Sequence, residues 1–355
     1  MKKIMKKSMN VLLASSLVMG LAACGGTTEQ PAQSSQPSQP AAEGSGISER
    51  TIKIGSGATE NSPVGQAMLE FKQIVEEKSG GKIKVQTFPG SQLGDDKQMI
   101  DALKAGTLEM STPTTAPVVG TVKDFGIFDL PFTISSPEVA DKVLASPVGQ
   151  KLLDKLPEQG LIGLTYWEYG FRNLTNNVQP VAKVEDFKGL KIRTQQNNIH
   201  IDVFNALGAN ATPMAYSEVF SGLESGAIDG QENPVGAIED NKYNEVQKYL
   251  SLTNHIYSPI ALLMSKKFWD QLSDEEKKII QEAAIQAGEN EKKKVREQAQ
   301  QSVTNLQNAG MEVNEFSAEE IAKAKEIIQP VIDKHSKELD QEIVKEFFNA
   351  IEAAK

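Results

Sequence analysis

The chain has 355 residues, of which 39% are hydrophobic and 24% charged, with 37 basic against 47 acidic side chains and a net charge of −10. That length suggests two or three domains or one large one, and the composition excludes a multi-span membrane protein and a wholly disordered chain. A single cysteine excludes a disulfide framework and a Cys-built metal cluster, three histidines leave little for a metal site, and the acidity argues against nucleic acid as a partner.

The chain opens with Lys2, Lys3, Lys6 and Lys7, followed by an apolar run from Val11 to Ala23. About 13 residues are too few for a spanning helix, which needs about 20, but they suit the core of a secretory signal. The run ends Leu21-Ala22-Ala23-Cys24-Gly25, which resembles the bacterial lipobox, in which small residues precede a cysteine that becomes diacylated. Residues 1–23 are therefore expected to be a lipoprotein signal peptide and Cys24 the lipidation site; a plain signal-peptidase cleavage is the alternative. Residues 24–46 hold no aliphatic residue larger than alanine, no methionine and no aromatic, but three prolines, Pro31, Pro37 and Pro40. Such a stretch cannot build a core and reads as a disordered tether.

From residue 47 the pattern is globular. Thr51-Ile52-Lys53-Ile54-Gly55 alternates and predicts a strand. Val64, Ala67, Met68, Phe71, Ile74 and Val75 recur at helical spacing between Pro63 and Gly80-Gly81. Lys82–Gln86 alternates again, giving a β-α-β unit with parallel strands. Asp95 opens a further helix that Gly106 stops, and Leu161–Leu164 and Leu190–Ile192 read as buried strands. Ser273-Asp274-Glu275-Glu276 is a capping box in front of apolar residues at 279, 280, 283, 284, 287, 295, 299, 303 and 306. This predicts one helix over 273–308, about 54 Å long. Ser317–Glu320 reads as a second capping box, leading to Pro330 and a final helix ending near Ala350. Alternating elements first and helices last predict an α/β protein of two lobes braced by helices.

The chain contains no G-x-S-x-G elbow, phosphate-binding loop, dinucleotide fingerprint or H-E-x-x-H motif. Glu218 and Glu224 could be an acid/base couple but read better as one buried partner and one solvated one, with Glu218 mainly structural, and His255 beside Asn254 reads as a hydrogen-bonded structural residue. No cofactor, metal or catalytic residue is expected. The arginines are more informative. The folded region has only Arg50, Arg172, Arg193 and Arg296. Arg172 and Arg193 each follow an apolar strand, and strand C-termini in open α/β sheets face the ligand crevice. A guanidinium fork fits a carboxylate at two points, which lysine cannot match. A salt bridge to one of the many acids is the alternative for both.

Seven segments, taken in order, carry a resemblance: SGGKIKVQTFPGSQLGDD at 79–96, DLPF at 129–132, GFRNLTN at 170–176, DFKGLKIRT at 186–194, ALGANATPMAYSEV at 206–219, DGQENP at 229–234 and NEVQKYLSLTNH at 244–255. Together they resemble the extracytoplasmic solute-binding subunits of tripartite ATP-independent periplasmic (TRAP) transporters, over about residues 50 to 340. The resemblance implies a two-lobed periplasmic-binding-protein-like fold with a ligand cleft between the lobes and a long helix spanning both, the role the 273–308 helix suits. Lobe I would hold 47–169 and about 259–298, and lobe II 170–258 and about 299–355.

It also implies a hinge that closes on a small organic or sugar acid. Arg193 would clamp the carboxylate with Arg172 assisting, Asn233, Tyr216, Gln196 and Thr114 would line the cleft, and Glu60 and Asn61 would contribute from a loop. The amides at 196–198 would suit hydroxyl groups, so a hexuronate-like acid comes first and a C4-dicarboxylate next. The partners expected are that acid, the membrane permease subunits and the membrane itself through Cys24, with the protein a monomer anchored outside the cell membrane. An exported lyase or hydrolase acting on a uronate-like acid and a sensory binding protein docking on a receptor are the competing functions.

Overall fold

The computed structural model describes residues 46–354, so the signal peptide, Cys24 and the tether through residue 45 lie outside the described residues. Strand β1 (Arg50–Gly55), helix α1 (Pro63–Lys78) and strand β2 (Ile83–Phe88) form the expected unit, with β1 and β2 parallel. Ser62 caps α1 by accepting from the Gly65 amide, and Pro63 takes the first helical turn, where its missing N–H is harmless. Helix α2 (Asp96–Ala105) starts from a reciprocal capping box between Asp95 and Gln98, and Gly106, at a φ of 79°, stops it. Strand β3 (Met110–Ser111) and helices α3 (Thr115–Val118), α4 (Pro137–Leu144) and α5 (Pro147–Asp154) follow.

Strand β4 (Leu161–Asn176) is much longer than the apolar tetrapeptide that announced it. Then come β5 (Lys191–Thr194), α6 (Asn198–Ala206), β6 (Asn210–Pro213), α7 (Val219–Glu224), β7 (Gly230–Pro234), α8 (Val235–Asp240), β8 (Tyr249–Ser265) and α9 (Lys266–Trp269). Helix α10 (Asp274–Asn308), β9 (Glu312–Glu315), α11 (Ala318–Glu338) and α12 (Gln341–Ala354) complete the chain.

All nine strands join one mixed sheet in the order β2-β1-β3-β8-β4-β7-β5-β6, with β9 on β8. The antiparallel pair β4 and β8 runs through its centre. Residues 161–168 of β4 pair with the half of β8 next to β3, and residues 170–176 with the half that begins at Tyr249. Register shifts fall between Gly163 and Thr165, Glu168 and Gly170, and Arg172 and Leu174. Such irregularities bend strands, so β4 and β8 turn from one end of the sheet into the other. Two hydrophobic clusters cover the β2-β1-β3 end and two more the β7-β5-β6 end.

Helix α10 matches the sequence expectation to within one residue. Its first half, through Ile280, Ala283, Ala284 and Ala287, packs against the first end; its second, through Ala299, Val303 and Leu306, against the other. The crossing over β4 needs Gly288. A Cβ there would lie 2.4 Å from Trp167 Cδ1, while Trp167 donates its indole N–H to the Ala284 carbonyl at 3.0 Å.

Three expectations need correction. Helix α11 passes through Pro330 rather than stopping there, because Ala324 and Ile328, buried below it, and Ile332 beyond it hold one continuous face against the core. Ser317 caps that helix, but Glu320 accepts from the Val184 amide instead of reaching back, so the second capping box is only half formed. The C-terminal stretch assigned to lobe II also divides. Helix α12 buries Ile343, Phe347 and Ile351 among Phe128, Val148 and Leu152 of the first end, while α11 packs on the second. Among the described residues no helix is long and apolar enough to cross a membrane, and no cluster suits a metal ion.

Candidate binding site

Strand β5 lies between β6 and β7, parallel to both. Its alternation sends Ile192 into a hydrophobic core and Arg193 into a cavity of about 60 Å³ where the two ends of the sheet meet. A single ordered water needs about 10–15 Å³ on this measure. The cavity is walled from the first end by Ser56, Gly57, Asp96, Thr112 and Thr114, and from the second by Arg193, Gln195, Gln196, Tyr216 and Asn233.

Arg193 is 2% exposed. Its Nε and Nη2 donate to the Met214 carbonyl at 3.1 and 2.8 Å, and its carbon lies 6.0 Å from the Tyr216 ring centroid. Nη1 has no hydrogen-bond partner, and no carboxylate pairs with the guanidinium among the described residues. Burial pulls its pKa down, and Tyr243 and Glu232 oppose that only in part. A buried, unpaired cation of this kind is costly unless something answers its charge, so the arrangement favours an anion in the cavity.

Arg172 has a different setting. It lies within β4 rather than after a strand, is 0% exposed, and does not line the cavity. The cause is pairing. Its Nε and Nη2 donate to the two carboxylate oxygens of Glu232, and Nη2 also donates to the Glu232 carbonyl at 2.6 Å and Asn233 Oδ1 at 3.1 Å. Burial lowers the Arg172 pKa, but Glu232 reverses the balance and raises it. His255 Nε2 stands 3.1 Å from the same carboxylate and His200 meets Asp129 at 2.9 Å. Burial works against ionisation of Glu232, yet Arg172 and the two histidines hold its carboxyl well below the usual range. His255 is thus part of a structural ion cluster, and burial drops its own pKa.

The other sequence candidates separate by position. Asn233 is buried on β7, accepting from Arg172 and donating to Gln231 Oε1 at 2.5 Å, and is a strand residue of the cavity wall. Tyr216 sits half-buried, its hydroxyl meeting Tyr169 at 2.9 Å and Asn241 at 2.6 Å. Tyr216 and Tyr169 also wall a second cavity of about 400 Å³ against α10. Thr114 accepts from Gln195 Nε2 at 2.8 Å, and Gln196 reaches the cavity from an exposed position. Glu60 and Asn61 are exposed in the turn before α1 and line neither cavity. Glu218 is exposed and accepts from the Ala215 amide, a local turn contact. Of the amides after Arg193, Asn197 turns away to Asp129 and caps α6.

Asp96, Gln195, Ser56 and Thr112 were missed. The Asp95-Asp96 pair was visible only as part of the LGDD segment, and nothing in its spacing separates a capping acid from a cavity acid. Asp95 is the cap; Asp96 is half-buried on the cavity wall with no hydrogen-bond or ion-pair partner among the described residues. Burial, reinforced by Asp95 and opposed by Arg193, pushes its carboxyl up to about 7.

The family model described as bacterial extracellular solute-binding protein, family 7, matches residues 54–339. A sugar acid binding protein from Advenella mimigardefordensis, solved in complex with galactonate, superposes with a TM-score of 0.86 at 42% identity, covering 87% of this chain and 100% of that one. The 2,3-diketo-L-gulonate-binding periplasmic protein of Escherichia coli K12 is 35% identical over 269 residues, 76% of this chain and 82% of its own. The C4-dicarboxylate-binding periplasmic protein of Rhodobacter capsulatus is 34% identical over 296 residues, 82% and 88% of the two chains.

Proposed function

The chain belongs to family 7 of the bacterial extracellular solute-binding proteins, the binding subunits of TRAP transporters, and from that premise we propose that it captures a small organic or sugar acid by seating the acid's carboxylate on Arg193. A hexuronate-like acid is the first candidate and a C4-dicarboxylate the second. The observation that carries this reading is the unpartnered Nη1 of a buried arginine lining a cavity at the junction of the two ends of the sheet. Tyr216, Asn233, Thr114 and Gln196 shape the cavity around the ligand. Arg172 supports the clamp from behind by holding Asn233 in place. The protein performs no chemistry: it binds the acid outside the cytoplasm and delivers it to membrane permease subunits.

A thermal-shift screen of organic acids tests this directly, since a ligand at 100 times its Kd adds about 2.7 kcal/mol of stability. Hexuronates and hexonates should raise the melting temperature of the wild type and leave that of Arg193→Ala unmoved. No shift with any monocarboxylic or dicarboxylic acid would defeat the reading, and turnover of a bound acid detected by mass spectrometry would defeat the claim that no chemistry occurs. The lipobox-like leader supports tethering by an acylated Cys24; Cys24→Ser should then release the protein from the membrane fraction, and continued sedimentation with membranes would refute the anchor.

A further inference from the structure

The second cavity, against α10, has no part in the clamp. Its volume is about 400 Å³, against about 60 Å³ around Arg193, and small-molecule sites run from roughly 300 to 1,000 Å³. The first end of the sheet contributes Ser62, Pro63 and Pro137 to its wall and the second Pro234, Val235 and Leu252. Helix α10 adds Val295, Ala299 and Val303. Three half-buried aromatic side chains, Tyr169, Phe171 and Tyr216, join them. The charges on this wall are unequal. Three acids, Glu138, Glu168 and Asp240, stand against one base, Arg296. Arg296 is already engaged, donating to Glu168 Oε2 at 3.0 and 2.7 Å and to Asp141 at 3.0 and 2.9 Å. Asp240 accepts from Gln298 Nε2 at 2.9 Å, and no cation pairs with it among the described residues. Burial pushes its carboxyl up to about 6, against the Gln298 hydrogen bond and with help from Glu239. The cavity also lies on the bend of the sheet. Gly170, at a φ of 110°, and Asn254, at 42°, are on its wall. So is Asn173, which alone stands opposite residues 252–255 of β8 and accepts the Asn254 amide at 3.0 Å.

We propose that this cavity is a second binding site, for a small organic cation with an aromatic or aliphatic body, and that filling it favours the conformation in which the acid is bound. The ligand class follows from the wall. A neutral apolar molecule would match the rings and prolines but leave the Asp240 charge without an answer, and an anion would meet three carboxylates. An ammonium pairs with Asp240 and is attracted by the faces of aromatic rings, while its carbon body covers the apolar wall. The chain's net charge of −10 adds a general pull on cations. The coupling follows from where the walls come from. An occupant touches both ends of the sheet and the residues of the bend, so it binds best at one setting of the two ends, and a ligand shifts such an equilibrium by its difference in affinity for the two states. Tyr169 and Tyr216, with hydroxyls 2.9 Å apart, belong to both cavities, and Asn241 of the second donates to the Tyr216 hydroxyl at 2.6 Å. The setting that walls the second cavity is therefore the one that walls the first. The coupling rests on the reading that the Arg193 cavity takes the acid; the cation site does not.

Phenethylamine and 2-phenylethanol have nearly one shape and differ in charge, so calorimetric titration of the mature chain with each at pH 8 tests the site. The wild type should bind the amine about tenfold more tightly than the alcohol, a step of about 1.4 kcal/mol. Asp240→Asn keeps the shape of the side chain and should weaken the amine about tenfold while leaving the alcohol unchanged. Ala299→Leu narrows the cavity and should weaken both probes, with melts confirming that it folds. Arg193→Ala should bind the amine as the wild type does. Saturating D-galacturonate should tighten the amine about fivefold, and the amine should tighten galacturonate by the same factor. Equal binding of amine and alcohol by the wild type, or amine affinity untouched by both Asp240→Asn and folded Ala299→Leu, overturns the site. Loss of amine binding in folded Arg193→Ala puts the amine in the first cavity and overturns it as well. Amine binding as expected with no effect on galacturonate overturns the coupling. A wild type that binds the amine but no acid overturns the acid reading, and the coupling with it, and upholds the cation site.

Discussion

Arg172 and Arg193 occupy neighbouring parts of one sheet, and both are almost wholly buried. Their surroundings are opposite. Arg172 faces a carboxylate fixed by two histidines, and its donors are taken by Glu232, Asn233 and Ser258. Arg193 faces a carbonyl and a tyrosine ring, with one nitrogen free. The pKa directions record the contrast: burial opposes both charges, but pairing lifts Arg172 above its ordinary value while Arg193 is left below it. A buried cation with its partner in the chain is part of the fold; one without is a place for something the chain does not contain. The proposal that Arg193 binds the ligand while Arg172 supports the fold rests on this contrast between two arginines alike in sequence context.

The contrast breaks most visibly at the ion cluster. Arg172→Ala would leave Glu232 buried without its main counter-charge, and removing one partner of such a pair costs about 3–5 kcal/mol. Denaturant melts of the ligand-free protein should show a loss of that size. A variant with near-native stability would mean that the cluster is not structural. The same cluster sets an acid limit. The Glu232 carboxyl is held below its ordinary value of 4.5, so its contribution is fully present above that pH and disappears as pH falls through the lower, folded value.

Arg193→Ala should do the reverse. Each charge-assisted hydrogen bond to a ligand carboxylate contributes about 1.5–3 kcal/mol, so affinity should fall by about two to three orders of magnitude, with ligand-free stability almost unchanged. Arg193→Lys keeps the charge, loses the fork and should recover only part of the affinity. Paired calorimetry and melts on the three proteins measure both quantities, and a large stability loss with native affinity would exchange the two arginines' roles.

Gly288 lies apart from both arginines and controls for simple damage. Gly288→Ala forces a methyl into the Trp167 indole, an overpacking change that costs about 1–3 kcal/mol. The melting temperature should drop while the affinity of the folded fraction holds; lost affinity at full folding would tie α10 directly to the site.

A last expected effect concerns Asp96 and its sign. Its folded pKa of about 7 stands above the ordinary 3.8, so between those values the native state binds more protons than the unfolded one. Stability should therefore fall as pH rises from about 4 to 7 through this group, the opposite sign to Glu232. Asp96→Asn removes that fall and should melt higher than wild type at pH 8 but not at pH 4. Equal melting differences at the two pH values would mean that the carboxyl is not perturbed.

Much of this was legible in the chain itself. Strand alternation over 51–55, the helical spacing of 64–75, and the Ser273 box followed by apolar residues through Leu306 each rest on contacts within a few residues, and each element formed where its pattern lay. Arg193 could be singled out because few arginines compete with it. What the sequence could not supply were pairings across long separations. Glu232 lies 60 residues from Arg172 and claims its fork; no local pattern marks Glu232 as a partner or leaves Arg193 without one. Asp95 and Asp96 are adjacent, chemically identical and both on the cavity wall, yet Asp95 accepts the Gln98 amide as a helix cap while Asp96 has no such partner among the described residues. Periodicity fixes which face of an element is apolar. Whether a buried charge meets its counter-charge depends on which elements the β4 and β8 bends bring together, and that is decided only when the whole sheet has formed.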